Sequence, residues 1–532
     1  MAKPTVLTDN QWQALIALHR TLLNEHVDFF TISHNPATKG SGPDGADHEL
    51  RSLPQKYAMA ARLWRHGIHS FLELMRHRLP SSLDHMLSFI YLAYSTMGLL
   101  LETVPDFRET FIECLGDLAR YRMAIEESDV RDRQVWCECA RTWYDSAADL
   151  SPNTGRIQHH LAVLARPNIV QQLYLYSKSL VASIPFKNAN ESIPLLFNPL
   201  LDAAPTPRPR YLPADSALVC AAAVLFFRRT VAEYQNFRRE FASHLDGHIG
   251  QTGSRFKTQG PEIAGALFAM LMDSGKSDNK LWTMLEGHSR KLKEQYCREQ
   301  SKDPAHLPKD FIVQDQVLLR AHKDNYWAGE LILDHIPMDS LLLEAEIGTS
   351  EQVSSLAMSM LYDTIITVTN QIGNRNIVPF MYMVLAYLLG LTWFPGASIY
   401  IERAIPWEHL VQFLNTIARS NNISFQVIQS DQFPRTFGGN GRQLPEEFMM
   451  RGLHVMPCFF PLDWFQVQLV DEDERCLENA SHQGPRIERC LWAAVQLSKF
   501  NRWIVYDETM KQFQSTDFAQ SLALPIPSKQ VR

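Results

Sequence analysis

Cationic side chains at helical spacing are the residues of this sequence with the clearest chemical potential. Arg62, Arg65 and His69 occupy positions i, i+3 and i+7, so a helix would place all three on one face. Several cations on one face can converge on a dianion, and a planar guanidinium can hold two of its oxygens at once. The segment therefore predicts an anion-binding helix face.

Two arginine pairs form a second cationic group within the segment FFRRTVAEYQNFRREF. They are Arg228, Arg229, Arg238 and Arg239. Such charges on an otherwise apolar helix are usually a solvated face, and the functional alternative is contact with an RNA or DNA backbone. Because 51 Lys and Arg stand against 58 Asp and Glu, a net charge of −7, nucleic-acid binding would require a local patch of this kind.

Metal, phosphate-loop and catalytic chemistry have weaker support. The adjacent His159 and His160 would diverge by about 100° on a helix, and the Cys137-x-Cys139 pair lacks further convergent ligands. The glycine-rich run at 438–441 lacks the Lys-Ser/Thr of a phosphate-binding loop. No set of nucleophile, base and oxyanion donors emerges. We therefore expect no metal, no cofactor and no enzymatic activity.

The composition predicts a folded protein of a reducing compartment. Residues are 45% hydrophobic and 20% charged, and the eight cysteines are scattered without a C-x-x-C pair. The N-terminus lacks the apolar region of a secretory signal, so we expect a nuclear and cytoplasmic protein. The uncharged run Ile377–Phe394 is long enough to span a membrane, but it contains Pro379 and Gly390 and has no basic flank. We interpret it as a buried core helix and expect no membrane contact.

Helical periodicity runs through most of the chain and predicts an all-α fold. Apolar residues from Trp12 onward repeat at three and four positions behind Thr8 and Asp9, which are favourable N-cap residues. Three glycines and a proline predict a mobile loop at residues 34–54. Five prolines at residues 198–213 predict an extended linker and a domain boundary.

A repeat pattern lies in the first third of the sequence. Ala140, Tyr144, Ala147 and Pro152 have the spacing of the second helix of a tetratricopeptide repeat. Small residues allow close helix approach, while the aromatic ring fills the groove of a neighbouring pair. The turn at 153–155 is followed by two further apolar helical segments, so we expect two stacked helix pairs.

Seven segments of the sequence carry a family resemblance. They are LGDLARYR at 115–122, SPNTGRIQHHLAVLA at 151–165, LYLYSKSLVASIPF at 173–186, NIVPFMYMVLAYL at 376–388, IPWEHLVQFLN at 405–415, LPEEFMMRGL at 444–453 and RIERCLWAAVQLSK at 486–499. Together they resemble the Est-one and SMG-type adaptors of telomere maintenance and nonsense-mediated mRNA decay. No single segment would carry the resemblance, but all occur in the family's order over most of the chain.

The resemblance implies a 14-3-3-like domain with tetratricopeptide repeats at 1–197 and a helical-hairpin domain, of DNA- or RNA-binding type, at 214–510. The linker at 198–213 separates the two domains, and 511–532 would be a C-terminal tail. Some family members add a PIN nuclease domain with acidic metal ligands. This sequence has no room for one after the hairpin region, so we expect a short, fungal-like member.

The run from Gly116 to Tyr121 resembles the Gly-Asp-x-x-Arg-Tyr helix with which 14-3-3 proteins hold phosphoserine. By that resemblance Arg120 is the phosphate anchor and Tyr121 the hydroxyl donor. The family has a lysine five residues after the tryptophan of its Leu-Trp pair, where this sequence has His69. Because histidine loses its charge near neutral pH, its electrostatic contribution would be smaller. Arg62 or Arg65 would then substitute, or affinity would be lost.

The resemblance implies a non-enzymatic adaptor that binds a phosphorylated protein, an Upf-type RNA helicase or an equivalent, in nonsense-mediated mRNA decay. The alternative is a telomerase-associated subunit that binds telomeric single-stranded DNA or telomerase RNA. Salt-dependent nucleic-acid binding would distinguish them. For either function a further expectation is a dimer, with a second copy or with a paralogue, through the 14-3-3-like domain.

Overall fold

The computed structural model describes residues 7–34, 46–202, 210–300, 343–394, 396–419, 424–435, 442–457, 459–466 and 478–522. Within these ranges the chain is overwhelmingly helical, which confirms the all-α expectation. Two short strands, β1 (Ile504–Asp507) and β2 (Gln512–Ser515), pair antiparallel near the end of the described chain. The chain divides into two compact units, Met1–Pro152 and Asn153–Arg532, described separately below.

The first unit is a bundle of long helices joined by short segments. Its helices are α1 (Asp9–Ser33), α2 (Ala46–Lys56), α3 (Met59–Arg62), a π-helix (Leu63–His69), α4 (Ser70–Arg76), α5 (Leu83–Thr103), a 3-10 turn (Pro105–Phe107), α6 (Arg108–Ile125) and α7 (Val130–Leu150). Thr8 and Gln11 form a capping box at the start of α1, as the N-cap residues predicted. Phe30, Phe71, Phe89 and Phe111 are buried in the core.

Helix α5 is the one described helix that is long and apolar enough to cross a membrane by length and composition. Its inner face packs in the bundle core, where Phe89, Ala93, Met97 and Leu100 are fully or almost fully buried. The core helix of a soluble bundle has this same composition.

The second unit contains the remaining helices. They are α8 (Gly155–Leu164), α9 (Ile169–Val181), α10 (Ala189–Ser192), α11 (Pro194–Leu201), α12 (Pro213–Phe227), α13 (Val231–Thr252), α14 (Phe256–Leu271), α15 (Lys280–Glu299), α16 (Ser350–Thr369), α17 (Val378–Leu391), α18 (Ala397–Ile401), α19 (Trp407–Ala418), α20 (Phe425–Gln429), α21 (Pro445–Met450), α22 (Gln483–Ser498) and α23 (Asp517–Ser521). Short 3-10 turns lie at Gly253–Arg255, Asp273–Gly275, Arg375–Ile377, Glu402–Ala404 and Ala480–His482.

The uncharged run Ile377–Phe394 forms the central helix of this unit. Every residue of α17 is buried, and the helix packs against α14 and α22. Tyr387 stacks on Phe268 of α14 with ring centroids 4.1 Å apart. The interpretation of this run as a core helix is therefore confirmed.

The boundaries of the two units differ from those predicted. The division falls after Pro152, whereas residues 198–213 lie inside the second unit. Pro199 lies within α11 and Pro213 is the first residue of α12, a position that tolerates proline because its N–H would be unpaired in any case. Residues 203–209 of the expected linker lie outside the described ranges. Helices α11 and α12, which flank these residues along the chain, pack on each other.

Two other segments expected to be irregular contain secondary structure. Of the loop expected at 34–54, residues 46–54 belong to helix α2, while 35–45 lie outside the described residues. Of the tail expected at 511–532, residues 512–515 form β2 and 517–521 form α23. The side-chain amide of Asn415 donates to the carbonyl of Phe513 and accepts from its N–H, so β2 is hydrogen-bonded to α19.

The helices of the predicted repeats are present, but they divide between the two units. Helix α7 belongs to the first unit, while α8 and α9 pair in the second. Gly155 begins α8 where the backbone passes so close that a Cβ would lie 2.2 Å from the carbonyl oxygen of Ser179. Only glycine fits there.

Candidate anion-binding cluster

The π-helix Leu63–His69 and helices α4, α6 and α7 of the first unit bring a group of charged and hydroxyl side chains together. We call this group the Arg120 cluster, and its members are His69, Glu73, Arg76, Asp117, Arg120, Tyr121 and Tyr144. Sequence motifs predicted Arg120, Tyr121 and His69 for this role, whereas Glu73 and Arg76 were not predicted.

Arg120 is held in position by two neighbours. Its Nη2 donates to Oδ1 of Asp117 at 3.0 Å and its Nε donates to the hydroxyl of Tyr144 at 3.2 Å. The Tyr144 hydroxyl donates in turn to Asp117 at 2.6 Å. With 32% of its side chain exposed, Arg120 remains accessible to a ligand. A guanidinium already oriented by two partners loses little conformational freedom when an anion binds.

Gly116 is what allows Tyr144 to reach this position. A Cβ at Gly116 would lie 2.7 Å from the Tyr144 ring, so any side chain would displace the ring and with it the partner of Arg120. The sequence suggested two separate roles, groove filling for Tyr144 and phosphate binding for Arg120. The structure joins them, because the Tyr144 ring packs on Gly116 and its hydroxyl orients Arg120.

Tyr121 extends toward Glu73 of α4 and His69 of the preceding π-helix. Its hydroxyl donates to Oε1 of Glu73 at 2.6 Å, and its ring meets the imidazole of His69 edge-on with centroids 6.3 Å apart. Burial, followed by the Glu73 hydrogen bond, raises the pKa of Tyr121. The guanidinium of Arg120 also lies 5.8 Å from the Tyr121 ring centroid. Tyr121 therefore links α6 to the helix that carries His69.

Arg76 is the cation that the sequence analysis missed. Its Nη2 donates to Glu73 at 2.7 Å and its Nε contacts both carboxylate oxygens at 3.1 Å, while 49% of the side chain is exposed. The pKa of Arg76 is raised overall, because the hydrogen bond to Glu73 outweighs the opposing effects of burial and of the nearby positive charge of Arg120. Arg76 follows His69 by seven residues, and this two-turn spacing is the signal that could have identified it.

Arg62 and Arg65 do not share the predicted face with His69. Residues Leu63–His69 form a π-helix, in which the N–H of Ser70 bonds to the carbonyl of Arg65. Hydrogen bonding over five residues widens the turn, so the i, i+3, i+7 spacing no longer aligns three side chains. Both arginines are exposed, and among the described residues His69 alone of the three contacts Tyr121. The prediction of a shared face was wrong.

Glu73 already binds two of the donors that an anion would use, Arg76 and Tyr121. Burial alone would raise the pKa of this carboxyl, but hydrogen bonds from Arg76 and Tyr121 and the charges of Arg76 and His69 lower it overall. The carboxylate thus stays ionised and engages the same side chains that would hold a phosphate. The cluster can bind an external anion if Glu73 moves aside or is neutralised.

The four arginines suggested for nucleic-acid contact do not form one stripe. Arg228 ends α12 in a left-handed conformation and Thr230 caps α13, so the pairs lie on two helices and not on one. Arg228 is paired with the buried Asp273, and Arg238 donates to Asp363 at 2.7 Å. These two have structural partners, which leaves Arg229 and Arg239 as the more exposed members.

Several of the segments that carry the family resemblance meet in the core of the second unit. Arg486 and Arg489 of RIERCLWAAVQLSK bind Glu446 and Glu447 of LPEEFMMRGL at 2.5 and 2.6 Å. Glu447 also accepts hydrogen bonds from Tyr382 at 2.8 Å and from Trp464 at 3.0 Å. We call these residues the buried ion pairs. Their convergence indicates that these segments build the core of the unit.

A further segment with the family resemblance joins the same place. The hydroxyl of Tyr174 donates to the carbonyl of Met449 at 2.6 Å, and the N–H of Ser183 donates to the carbonyl of Gly452 at 3.0 Å. LYLYSKSLVASIPF therefore packs against LPEEFMMRGL. Among the described residues no group of three or more His, Cys, Asp or Glu side chains is arranged to hold a metal ion.

The fold is a helical array, and its first unit contains a cluster of charged and hydroxyl side chains. Residues 140–203 match the family described as the Est1 DNA/RNA binding domain. The chain is 38% identical over 86 residues to "Telomerase-binding protein EST1A" of Danio rerio, and 38% identical over 87 residues to "Nonsense-mediated mRNA decay factor SMG7" of Arabidopsis thaliana. Each match covers 16% of this chain, and 5% and 8% of the respective relatives.

A solved structure, "Crystal structure of Est1 and Cdc13", has the same fold. Its TM-score is 0.51 at 10% identity, over 95% of this chain and 99% of that one. At this identity the likeness concerns the fold alone. The motifs, the family match at residues 140–203 and both relatives agree with the resemblance to Est1- and SMG-type proteins, which is thereby confirmed.

Proposed function

We propose that this protein is a non-enzymatic adaptor of RNA surveillance whose first unit binds a phosphorylated protein partner. The observation that carries the proposal is the Arg120 cluster, in which Arg76 and Tyr121 both bind Glu73 and Arg120 lies 5.8 Å from the Tyr121 ring centroid. A phosphate dianion held by two guanidiniums and a hydroxyl would form several charge-assisted hydrogen bonds. Relatives named as a telomerase-binding protein and an mRNA decay factor support an adaptor that works through bound partners.

The partner that we propose is a phosphorylated RNA helicase of the Upf type or an equivalent protein, in the nucleus and the cytoplasm. Affinity purification of the intact protein, with and without phosphatase treatment of the extract, tests this proposal. We expect one partner to disappear after dephosphorylation. A set of partners that is identical in both arms would contradict phosphate-dependent recruitment.

Glu73→Gln should strengthen phosphopeptide binding. The amide keeps the shape of the side chain but removes the negative charge that lies among the phosphate donors, so affinity should rise on the order of tenfold. The measurement is calorimetric titration with a phosphoserine peptide from the recovered partner and with its unphosphorylated twin. Only the phosphorylated peptide should respond.

The matched control is Glu102→Gln, which neutralises an exposed carboxylate on α5 outside the cluster. Its affinity should equal that of the wild-type protein. If Glu73→Gln binds the phosphopeptide no more tightly than this control, Glu73 does not compete with phosphate.

The alternative function is that of a telomerase-associated subunit that binds telomeric single-stranded DNA or telomerase RNA. It is favoured by the family description of a DNA/RNA binding domain at residues 140–203. Binding of either nucleic acid should weaken steeply with added salt, because phosphate contacts release counterions. Arg229 and Arg239 are the first residues to substitute, since Arg228 and Arg238 have buried or partly buried carboxylate partners. Dimerisation, with a second copy or with a paralogue, also remains a proposal for either function.

A further inference from the structure

A cavity of about 320 Å³ lies in the second unit, far along the chain from the family match at 140–203. Three elements surround it: the loop at 370–374 between α16 and α17, the end of α19 and the start of α22. The cavity volume is at the lower end of the range found for small-molecule sites. It is therefore large enough for one compact ligand.

Two arginines without carboxylate partners line this cavity. Arg375 donates to the amide oxygen of Gln483 at 3.2 Å, and neither Arg375 nor Arg419 has an ion pair within the described part of the chain. Both side chains are exposed. None of the described lining residues is Asp or Glu. The described lining therefore has two positive charges and no carboxylate.

Some other arginines of the same unit have carboxylate partners. They are Arg228, Arg238, Arg486, Arg489 and Arg502. In a chain with a net charge of −7, two unpaired guanidiniums in one cavity favour a negatively charged ligand. Guanidinium groups suit phosphate because they can bind two oxygens of the group in one plane.

Side-chain amides surround the two arginines. The lining contains Asn370, Gln371, Asn374, Gln412 and Gln483. The amide of Gln371 donates to Asp246 at 2.5 Å and its oxygen lies 3.3 Å from the Asn374 amide, so the loop is held in place. Gln412 is exposed, and its side chain has no hydrogen bond among the described residues. Carboxamides can donate to and accept from the edge of a nucleic-acid base at the same time.

The floor of the cavity is apolar. Ile377, Phe413 and Ile487 are buried beneath it, and Ile372 projects from the loop with 83% of its surface exposed. A flat heterocycle could cover this apolar surface and remove Ile372 from water. Exposed arginines, side-chain amides and an apolar surface are thus present around one space.

We infer that this cavity binds a nucleotide, with Arg375 and Arg419 on the phosphate and the carboxamides on the base. The nucleotide has two possible sources, a free nucleoside monophosphate or one unit of a single-stranded RNA or DNA. An acidic peptide could pair with the arginines, but its carboxylates lack the adjacent hydrogen-bond donors and acceptors that the edge of a base offers to the side-chain amides. The site is independent of the Arg120 cluster, so its failure would leave the adaptor proposal intact.

The test is equilibrium titration of the full chain with the four ribonucleoside monophosphates and with a labelled single-stranded oligonucleotide. Arg375→Glu and Arg419→Glu should each weaken binding about ten- to hundredfold. Gln412→Glu, which changes an exposed side chain and leaves both arginines in place, should weaken it as well. Arg403→Glu is the matched control, because it makes the same charge change at an exposed arginine outside the cavity.

The two sources are separated by competition. A monophosphate displaced by the oligonucleotide assigns the cavity to single strands, and a monophosphate that is not displaced assigns it to the free nucleotide; either result supports the inference. Inorganic phosphate that competes as well as the nucleotides would overturn it, because the base would then contribute nothing. So would equal losses in Arg403→Glu, the absence of binding by every nucleotide and oligonucleotide, or displacement by an acidic peptide alone.

Discussion

Arg120→Glu should remove the preference of the first unit for a phosphorylated peptide. The substitution deletes a guanidinium that can contact two phosphate oxygens and places a carboxylate beside Asp117. Losing charge-assisted hydrogen bonds alone costs about 1.5 to 3 kcal/mol, a roughly ten- to hundredfold loss of affinity, and the new repulsion adds to it. Titration with a phosphoserine peptide and its unphosphorylated twin should then give equal, weak binding.

A second variant keeps this result interpretable if the first one disturbs the helix. Arg76→Glu changes a side chain that is 49% exposed and whose partner is Glu73 of the same helix, so packing should survive. We expect a comparable loss of phosphate preference. Arg131→Glu, an exposed arginine on α7, should bind like the wild-type protein. Unchanged phosphopeptide affinity in both Arg120→Glu and Arg76→Glu would show that the first unit has the helices without the phosphate-binding function.

Breaking one of the buried ion pairs should destabilise the second unit by about 3 to 5 kcal/mol. Arg489 and Glu447 are 1% and 0% exposed and 2.6 Å apart. Burial raises the pKa of Glu447, although Arg489 and the hydrogen-bond donors lower it. Arg489→Met would leave this carboxylate in the core without its cation, and only protonation or local opening could relieve the cost. Thermal or urea unfolding, followed by tryptophan fluorescence, measures the change in free energy.

The exposed pair of Arg435 and Asp463 is the natural control. Its atoms are 2.5 Å apart, but both side chains are solvated, so Arg435→Met should change stability little. Replacing Arg489 by Met and Glu447 by Leu together should cost less than the sum of the single changes, because neither charge is then left unpaired. Additive losses in the double variant would mean that the two residues stabilise the fold independently.

Local features of this protein were readable from the sequence because they depend on residues a few positions apart. The N-cap at Thr8, the uncharged core helix α17 and the start of α8 at Gly155 all follow from neighbours along the chain. The motif around Gly116 and Tyr121 is equally local.

Contacts between distant segments were decided by the tertiary structure. Glu73 binds Tyr121, 48 positions away, and this contact brings a carboxylate into the Arg120 cluster. Arg238 binds Asp363, 125 positions away, and this contact leaves Arg238 less suited to nucleic-acid binding. The π-turn at Leu63–His69 also changed which cations face Tyr121, since one extra residue per turn rotates every following side chain. Periodicity specifies which residues form a helix and which face is apolar. The partner of a charged side chain depends on how those helices pack, which no local pattern contains.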